Sequence, residues 1–240
     1  MSKGKKTNLL PRIKNYIGSA LNHYYSKRGR MICDFARLDN KEDLDGFTLV
    51  QQIKRETEML LKEQEAFLIY KTIKKTEKIH GDIAEVGVYK GGSAKLMRLA
   101  TNKKLHLFDT FEGLPETSSK DNQQKFSRGE LYASLEGVQH YLREYQDVYF
   151  YKGLFPTTSG PVADKQFSFV HLDVDLYEST LNCLKFFYPR MSPGGVIISH
   201  NYYDLVGVRK AFDEFFADKV EIIIEPPGTS QAFVIKASGS

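Results

Sequence analysis

Residues 85–94 read EVGVYKGGSA and join an apolar run, Ile83–Val88, to a helical apolar pattern over residues 96–100. Glycines at a strand-to-helix turn permit a tight bend and a close approach of the backbone. The first N–H groups of the following helix then favour an anion above the strand end. Such glycines also serve packing alone, so the stretch indicates a strand-turn-helix unit and leaves a nucleotide cofactor as one of two interpretations.

The chain beyond residue 82 repeats this alternation of short apolar runs and helical patterns, which is typical of parallel strands joined by crossover helices. Five runs predict parallel strands. Two more flank PPGTSQ (226–231), a connection too short for a helix, and predict an antiparallel hairpin. The runs are Ile83–Val88, Leu105–Phe108, Val148–Tyr151, Phe167–Val174, Val196–Ser199, Val220–Glu225 and Ala232–Lys236.

The N-terminal third differs from the rest in charge and pattern. Residues 1–30 contain eight Lys or Arg residues and no acidic residue, so the remaining chain carries a net charge of −4 against +4 for the whole. Residues 31–80 show mostly helical spacing up to Gly81. We expect two parts, a basic arm with a helical extension over 1–80 and the α/β domain over 81–240. The arm is either a solvated tail or a contact for an anionic ligand, partner or surface.

The composition, 41% hydrophobic and 27% charged over 240 residues, is that of a soluble globular protein. No apolar stretch approaches the roughly 20 residues of a membrane-spanning helix, and the N-terminus lacks the apolar segment of a secretory signal. Cys33 and Cys183 form neither a metal motif nor a disulfide framework, so the cytoplasm is the expected location. We expect no nucleic-acid partner, and homo-oligomerisation is left open.

Asp109 ends the predicted second strand and falls 22 residues after Gly87. This is the usual place of an acidic side chain that accepts hydrogen bonds from ribose hydroxyls. The alternative is that Asp109 only caps the turn at Thr110. The glycine spacing is E-x-G-x-x-x-G-G rather than G-x-G-x-x-G, which disfavours NAD and favours another ribose-bearing cofactor.

Polar side chains follow the fourth and fifth predicted strands at one edge of the sheet. Asp173 and Asp175 share a face if the fourth strand continues that far, and His200 and Asn201 follow the fifth. Together these residues offer oxygen and nitrogen ligands to a divalent ion. The alternatives are structural: Asp175 forms a capping-box pattern with Glu178, and His200 and Asn201 close a loop and cap the next helix.

The stretch Phe111–Asp147 is longer than a simple crossover and contains a helical pattern near its end. Long polar insertions at this edge are commonly lids, so we expect it, together with the N-terminal helices, to shape an acceptor pocket in which Phe111, Phe126 and Tyr132 suit a sugar face. A surface loop is the alternative.

Five stretches together resemble the macrocin O-methyltransferase family, whose members methylate deoxysugar hydroxyls on macrolides and related products. They are EVGVYKGGSA (85–94), LFDTFEGLPE (107–116), YKGLFPTT (151–158), HLDVDLYEST (171–180) and YPRMSPGGVIISHNYYDLVGVRKAFDEFF (188–216). The resemblance covers roughly residues 81–236. It implies a Rossmann-like class I methyltransferase fold, with a seven-stranded, mostly parallel sheet that ends in an antiparallel hairpin.

The resemblance also implies S-adenosylmethionine as cofactor. The turn after the first strand would surround its methionine part, Asp109 would hold the ribose, and Lys152 and Gly153 would lie near the adenine. The cofactor-binding residues so implied are Glu85, Gly87, Tyr89, Gly91, Gly92, Ser93, Asp109, Thr110, Lys152 and Gly153. Asp173 corresponds to the family's first metal-binding aspartate, which is also its proposed general base.

One departure concerns the metal. Where the family usually has two consecutive aspartates after the fifth strand, this chain has His200-Asn201. Fewer carboxylates hold Mg²⁺ more weakly, although an amide oxygen is an acceptable ligand. We expect Asp173, His200 and Asn201 as ligands of a divalent metal, Mg²⁺ by preference, and Asp173 or His200 as the catalytic base.

These features predict a metal-assisted, S-adenosylmethionine-dependent O-methyltransferase that acts on a hydroxyl of a sugar or polyketide-type natural product. Two alternatives stay open. One is a cofactor-binding protein without turnover, suggested by the His200-Asn201 change. The other is a nicotinamide-dependent oxidoreductase on a similar sheet.

Overall fold

The structure, a computed structural model, describes residues 40–121 and 126–238. The basic arm predicted over residues 1–30 lies outside these ranges. Within them, no helix is both long enough and apolar enough to cross a membrane.

A six-stranded sheet forms the centre of the described chain, in the order β3-β2-β1-β4-β5-β6. The first five strands are parallel, and β6 pairs antiparallel to β5. The strands are β1 Asp82–Val86, β2 Leu105–Asp109, β3 Val148–Lys152, β4 Phe167–Leu172, β5 Met191–Ser199 and β6 Ala232–Ile235. The predicted α/β class, with parallel strands and an antiparallel C-terminal hairpin, is confirmed.

The seventh predicted strand, Val220–Glu225, is reduced to a single antiparallel bridge between Ile224 and Phe233. Its burial is inverted relative to its polarity, because Val220 and Ile222 are exposed while Glu221 is buried. The Glu221 carboxylate accepts hydrogen bonds from Tyr188 and from the backbone of residue 237. With Val220 and Ile222 in solvent and Ile223 and Ile224 only partly buried, the segment has little hydrophobic surface to anchor a longer ladder.

Helices cover the sheet. They are α1 Lys41–Glu56, α2 Glu63–Lys75, α3 Gly92–Ala100, α4 Leu135–Leu142, α5 Tyr177–Phe187 and α6 Val206–Phe216, with short 3₁₀ turns at Gly160–Val162 and Tyr188–Arg190. The predicted helical extension is confirmed in its described part, where α1, α2 and α3 pack together. It breaks between Glu56 and Glu63, and α2 ends at Lys75, before Gly81.

An aromatic cluster fills the space between the sheet and α5. Phe108, Phe155, Phe167 and Phe187 are all nearly or completely buried, with ring centroids 5.1–6.2 Å apart in their contacts. Burying one such side chain contributes roughly 2–3 kcal/mol. The cluster therefore holds β2 and β4 rigidly, which fixes the strand ends that carry the polar residues discussed next.

Candidate active site

A cavity of about 360 Å³ lies above the carboxyl ends of β1, β2, β4 and β5. Open α/β sheets bind ligands at this edge, because the loops after successive strands diverge there. Asp173 and His200 give the cavity one polar wall, while Leu61, Leu114 and Leu131 are among its apolar lining.

Backbone strain is concentrated in the loops at this edge. A non-glycine residue with a left-handed conformation follows each of four strands: Tyr89 (φ 50°) after β1, Phe111 (φ 52°) after β2, Asp175 (φ 59°) after β4 and Asn201 (φ 57°) after β5. Each such residue costs on the order of 1–3 kcal/mol and persists only where its surroundings impose it. Strain at one sheet edge is typical of a functional site.

Gly87 brings the first loop against the fourth strand. It has φ +88°, and an added Cβ would overlap the carbonyl oxygen of Asp173. The Asp173 N–H donates to the Val86 carbonyl at 2.8 Å, which ties the two strand ends together. The glycine is therefore required by this backbone contact, the packing role that sequence reasoning left open.

The glycine pair 91–92 begins α3. Gly91 takes the left-handed conformation at the N-cap, with φ +78°, and no side chain caps the helix. A Cβ on Gly92 would lie 2.8 Å from Met59. Gly92 and Ser93 line the cavity, so the first turn of α3 borders the space in which a cofactor would lie.

Asp109 organises the loop after β1. Its Oδ2 accepts from the N–H groups of Val88 (2.6 Å) and Tyr89 (3.1 Å), and its Oδ1 accepts from the Phe111 N–H at 2.8 Å. Asp109 also lines the cavity. A carboxylate has about four acceptor positions, so a further donor such as a ribose hydroxyl fits beside these bonds.

Most of the residues predicted to bind a cofactor line the cavity. They are Gly87, Tyr89, Gly92, Ser93, Asp109, Thr110 and Gly153. Three do not. Gly91 only caps α3, and Lys152 points to solvent and pairs with Glu112 at 3.5 Å. Glu85 is fully buried in β1. Its Oε1 lies 2.9 Å from Nδ1 of His171, the residue opposite it on β4.

His200 lies between two carboxylates. Its Nδ1 is 2.9 Å from Asp173 Oδ1, and its Nε2 is 3.4 Å from Glu65 Oε2. Burial alone would lower the pKa of His200, but the charge of Asp173 and the hydrogen bonds to both acids outweigh burial and raise the pKa to about 10. Desolvation alone would raise the pKa of Asp173, yet the His200 charge lowers it. Flanked by two carboxylates, the ring therefore favours its protonated, cationic form.

Asn201 pairs with Asp175 through its side-chain Nδ2, which donates to Asp175 Oδ1 at 2.7 Å. Because β4 ends at Leu172, Asp173 and Asp175 do not share a strand face. The capping-box alternative for Asp175 is wrong: α5 begins after Leu176 without a cap from its own segment, and the Tyr177 N–H donates to Asp121 of the insertion at 2.7 Å.

The predicted metal ligands do not fit a metal. An imidazolium has no free lone pair, and a divalent ion binds only neutral imidazole. Across residues 40–121 and 126–238, no three His, Cys, Asp or Glu side chains are grouped so as to hold an ion. The expectation of Asp173, His200 and Asn201 as a ligand set is therefore not supported by this geometry, because histidine in place of an aspartate pairs with the remaining acids.

Sequence reasoning assigned the N-terminal helices to the acceptor pocket but did not predict which of their residues reach the site. Residues 58–61, between α1 and α2, line the cavity, and Glu65 reaches His200 from the first turn of α2. The available signal was the position of Glu65 directly before the apolar run Ala66–Tyr70. A charged side chain on a buried helix face needs a partner, so Glu65 could have been expected to pair with a polar group of the site. Of the insertion aromatics, Phe126 lines the cavity, whereas Phe111 is buried elsewhere and Tyr132 is exposed.

Comparisons with known proteins agree with this geometry. Residues 65–226 match the model of the family described as Macrocin-O-methyltransferase (TylF). The 8-demethyl-8-(2,3-dimethoxy-alpha-L-rhamnosyl)-tetracenomycin-C 4'-O-methyltransferase of Streptomyces olivaceus is 33% identical over 140 residues, 52% of this chain and 54% of that protein. The mycinamicin III 3''-O-methyltransferase of Micromonospora griseorubida is 27% identical over 155 residues, 57% and 61% of the two chains.

The matched region thus spans little more than half the length of these relatives. Among solved structures, the O-methyltransferase NovP is similar with a TM-score of 0.67 and 24% identity, covering 82% of this chain and 98% of that one, which supports the fold. Because the family model covers well over half of the sequence, the chain belongs to the macrocin O-methyltransferase family.

Proposed function

We propose that this protein is an S-adenosylmethionine-dependent O-methyltransferase that acts on a hydroxyl of a sugar or polyketide-type natural product. The observation that carries the proposal is the position of Asp173. Asp173 lines the cavity with a quarter of its side chain exposed, and its backbone carbonyl lies directly against the turn at Gly87. The proposal also draws on the family and on relatives that are named as O-methyltransferases of glycosylated and macrolide natural products.

The cofactor would lie along the first two strand ends. Asp109 would accept from the ribose, the first turn of α3 at Gly92 and Ser93 would face the carboxylate of the methionine part, and Gly153 would border the adenine. When bound, S-adenosylmethionine supplies a methyl group on a positively charged sulfur. The protein's contribution is to bind and orient this group and to exclude water.

Asp173 would act as the base. A hydroxyl is a weak nucleophile at neutral pH, so removal of its proton during transfer accelerates the reaction. Asp173 keeps a carboxylate at the cavity, whereas both nitrogens of His200 already face acids, Nδ1 by a hydrogen bond and Nε2 at ion-pair distance. We therefore favour Asp173 over His200 as the proton acceptor.

The acceptor would enter past apolar side chains. Leu60, Leu131 and Leu154 line the cavity and are still 55%, 36% and 48% exposed. Exposed apolar groups at the rim of a pocket are typical of a ligand entrance, and the apolar body of a polyketide-type acceptor would cover them. The division into a basic arm with a helical extension over 1–80 and a cofactor-binding domain over 81–240 stays part of the proposal, and of the described extension the segment 58–61 would face the acceptor.

The test is calorimetric titration with S-adenosylhomocysteine and with NADH, followed by methyl-transfer assays on a panel of glycosylated polyketides. We expect binding of the first ligand only, and product formation that requires S-adenosylmethionine. Binding of NADH alone would favour the oxidoreductase alternative. Cofactor binding without methylation of any acceptor would favour a binding protein.

A further inference from the structure

A chain of three ionisable side chains runs from α2 into the cavity. His200 contacts Asp173 Oδ1 through Nδ1 at 2.9 Å and faces Glu65 Oε2 through Nε2 at 3.4 Å. Nδ1 makes a hydrogen bond to Asp173, Nε2 lies within ion-pair distance of Glu65, and two flanking carboxylates favour the protonated ring. One positive charge thus lies between two negative charges.

Glu65 is fixed from several sides. It is 1% exposed, and its Oε1 accepts from the N–H (2.8 Å) and the hydroxyl (2.9 Å) of Ser230. Its Oε2 also accepts from the Lys62 N–H at 2.8 Å. A buried carboxylate is stable only with such partners. Glu65 therefore holds His200 in place from the side opposite Asp173.

A divalent ion beside Asp173 would meet this imidazolium where the family has a second carboxylate. The two cations would repel each other at short distance. The amide of Asn201 is turned toward Asp175 by its own hydrogen bond. Positive charge next to Asp173 is thus supplied by the protein itself.

We propose that the His200 cation, positioned by Glu65, takes the place of a divalent metal, so that Asp173 accepts the hydroxyl proton without a bound ion. The role of Asp173 as proton acceptor rests on the function proposed above. The claim that no divalent ion binds beside Asp173 does not depend on that function. The proton passes from the acceptor hydroxyl to Asp173 as the methyl carbon bonds to the oxygen, and the electrons of the broken carbon–sulfur bond stay on sulfur. Glu65 does not line the cavity and is a positioning residue.

Metal binding is tested directly by titrating the full-length protein with Mn²⁺, monitored by electron paramagnetic resonance without cofactor. We expect no binding to wild type up to about 1 mM Mn²⁺. The double variant His200→Asp/Asn201→Asp should bind at least about tenfold more tightly, because it restores carboxylates. Binding to wild type that is lost in Asp173→Asn would overturn the proposal, and so would a double variant that folds but gains no Mn²⁺ affinity.

The positioning role is tested with Glu65→Gln. We expect kcat to fall about 10- to 100-fold, as for residues that orient a functional ligand, with KM and the Kd for S-adenosylhomocysteine changed less than about twofold. Glu221→Gln is the matched control: it removes a buried glutamate bonded to Tyr188, outside the cavity lining, and should leave kcat unchanged. Wild-type activity should survive EDTA.

An unchanged kcat in folded Glu65→Gln, or loss of activity in EDTA that Mg²⁺ restores, would contradict the proposal. Thermal unfolding of each variant establishes that it is folded, and the wild-type Mn²⁺ titration needs no variant. If the protein binds no S-adenosylhomocysteine, the proposed function fails, while the Mn²⁺ titration still decides whether a divalent ion binds beside Asp173.

Discussion

Asp173 and Asp109 are both acids at strand ends, yet their neighbours give them different tasks. Asp173 pairs with a cationic side chain at 2.9 Å and faces the cavity. Asp109 accepts from three backbone N–H groups and shapes the loop after β1. The first arrangement suits proton transfer and the second suits binding.

Asp173→Asn should therefore lower kcat by about 10²- to 10⁴-fold, the usual contribution of a general base, with the Kd for S-adenosylhomocysteine nearly unchanged. Asp109→Ala should do the reverse and weaken cofactor binding first. Steady-state kinetics and calorimetry on both variants separate the two effects. An equal loss of affinity for S-adenosylhomocysteine in both variants would show that the two aspartates do not have separate roles.

The ion pairs of His200 predict a pH dependence of stability. The folded-state pKa of about 10 lies above the ordinary 6.5, so the stabilisation is complete below about pH 6.5 and is lost as pH rises toward 10. The free energy of unfolding in urea should decline over this window, and His200→Gln should flatten the decline. A wild-type profile that matches the variant would mean that His200 is not held as a cation.

Gly87 predicts a stability effect at a single backbone position. Gly87→Ala should lower the free energy of unfolding by at least about 2 kcal/mol, because it combines a strained φ with overlap on the Asp173 carbonyl. Gly160→Ala is the control, since no atom lies within 4 Å of its added Cβ. If urea titrations give similar losses for the two variants, the contact between β1 and β4 is not as tight as described.

At the scale of elements, the insertion is fastened to the first turn of α5. Asp121 Oδ1 accepts from the Tyr177 N–H at 2.7 Å, and its Oδ2 accepts from the N–H and hydroxyl of Ser118. The unpaired N–H groups at a helix start need such acceptors. Asp121 thus links the insertion to the strand end that carries Asp173.

Asp121→Ala should cost about 1 kcal/mol, the usual value for a lost helix cap, and should speed amide hydrogen exchange in the first turn of α5. It should also raise the acceptor KM more than the cofactor Kd. Ser134→Ala, which removes the cap of α4 at Gly137, is the matched control and should leave α5 exchange unchanged. Unaltered exchange in Asp121→Ala would show that the insertion is not held there.

Strands and helices with clear periodicity were predictable, because each such pattern is local. The runs at Ile83, Leu105 and Phe167 all became neighbours in one parallel sheet. The segment Val220–Glu225 did not form the predicted strand, since Val220 and Ile222 face solvent and Glu221 is buried in their place. The cap of α5 also escaped prediction, because it comes from a residue 56 positions away.

At the scale of the whole molecule, the sequence predicted which edge of the sheet forms the site. It did not predict the contacts that join distant segments of the chain at that edge. Asp109, Asp173 and His200 were predicted at one edge of the sheet, because the carboxyl ends of parallel strands lie at the same edge. All three line the cavity. Sequence reasoning missed Glu65, whose bond to Ser230 spans 165 positions and follows no local pattern. Sequence reasoning likewise did not predict the contact of His200 with Glu65 on the distant helix α2, which disfavours the predicted metal ligand set.

The central claim is that a cofactor lies across the ends of β1 and β2 with its reactive centre toward Asp173. The most direct measurement is a crystal structure with S-adenosylhomocysteine bound. We predict the ribose at Asp109 and the sulfur within the cavity on the side of Asp173. Density for the ligand at another face, or an Asp173 carboxylate shut off from the sulfur by apolar side chains, would contradict the claim.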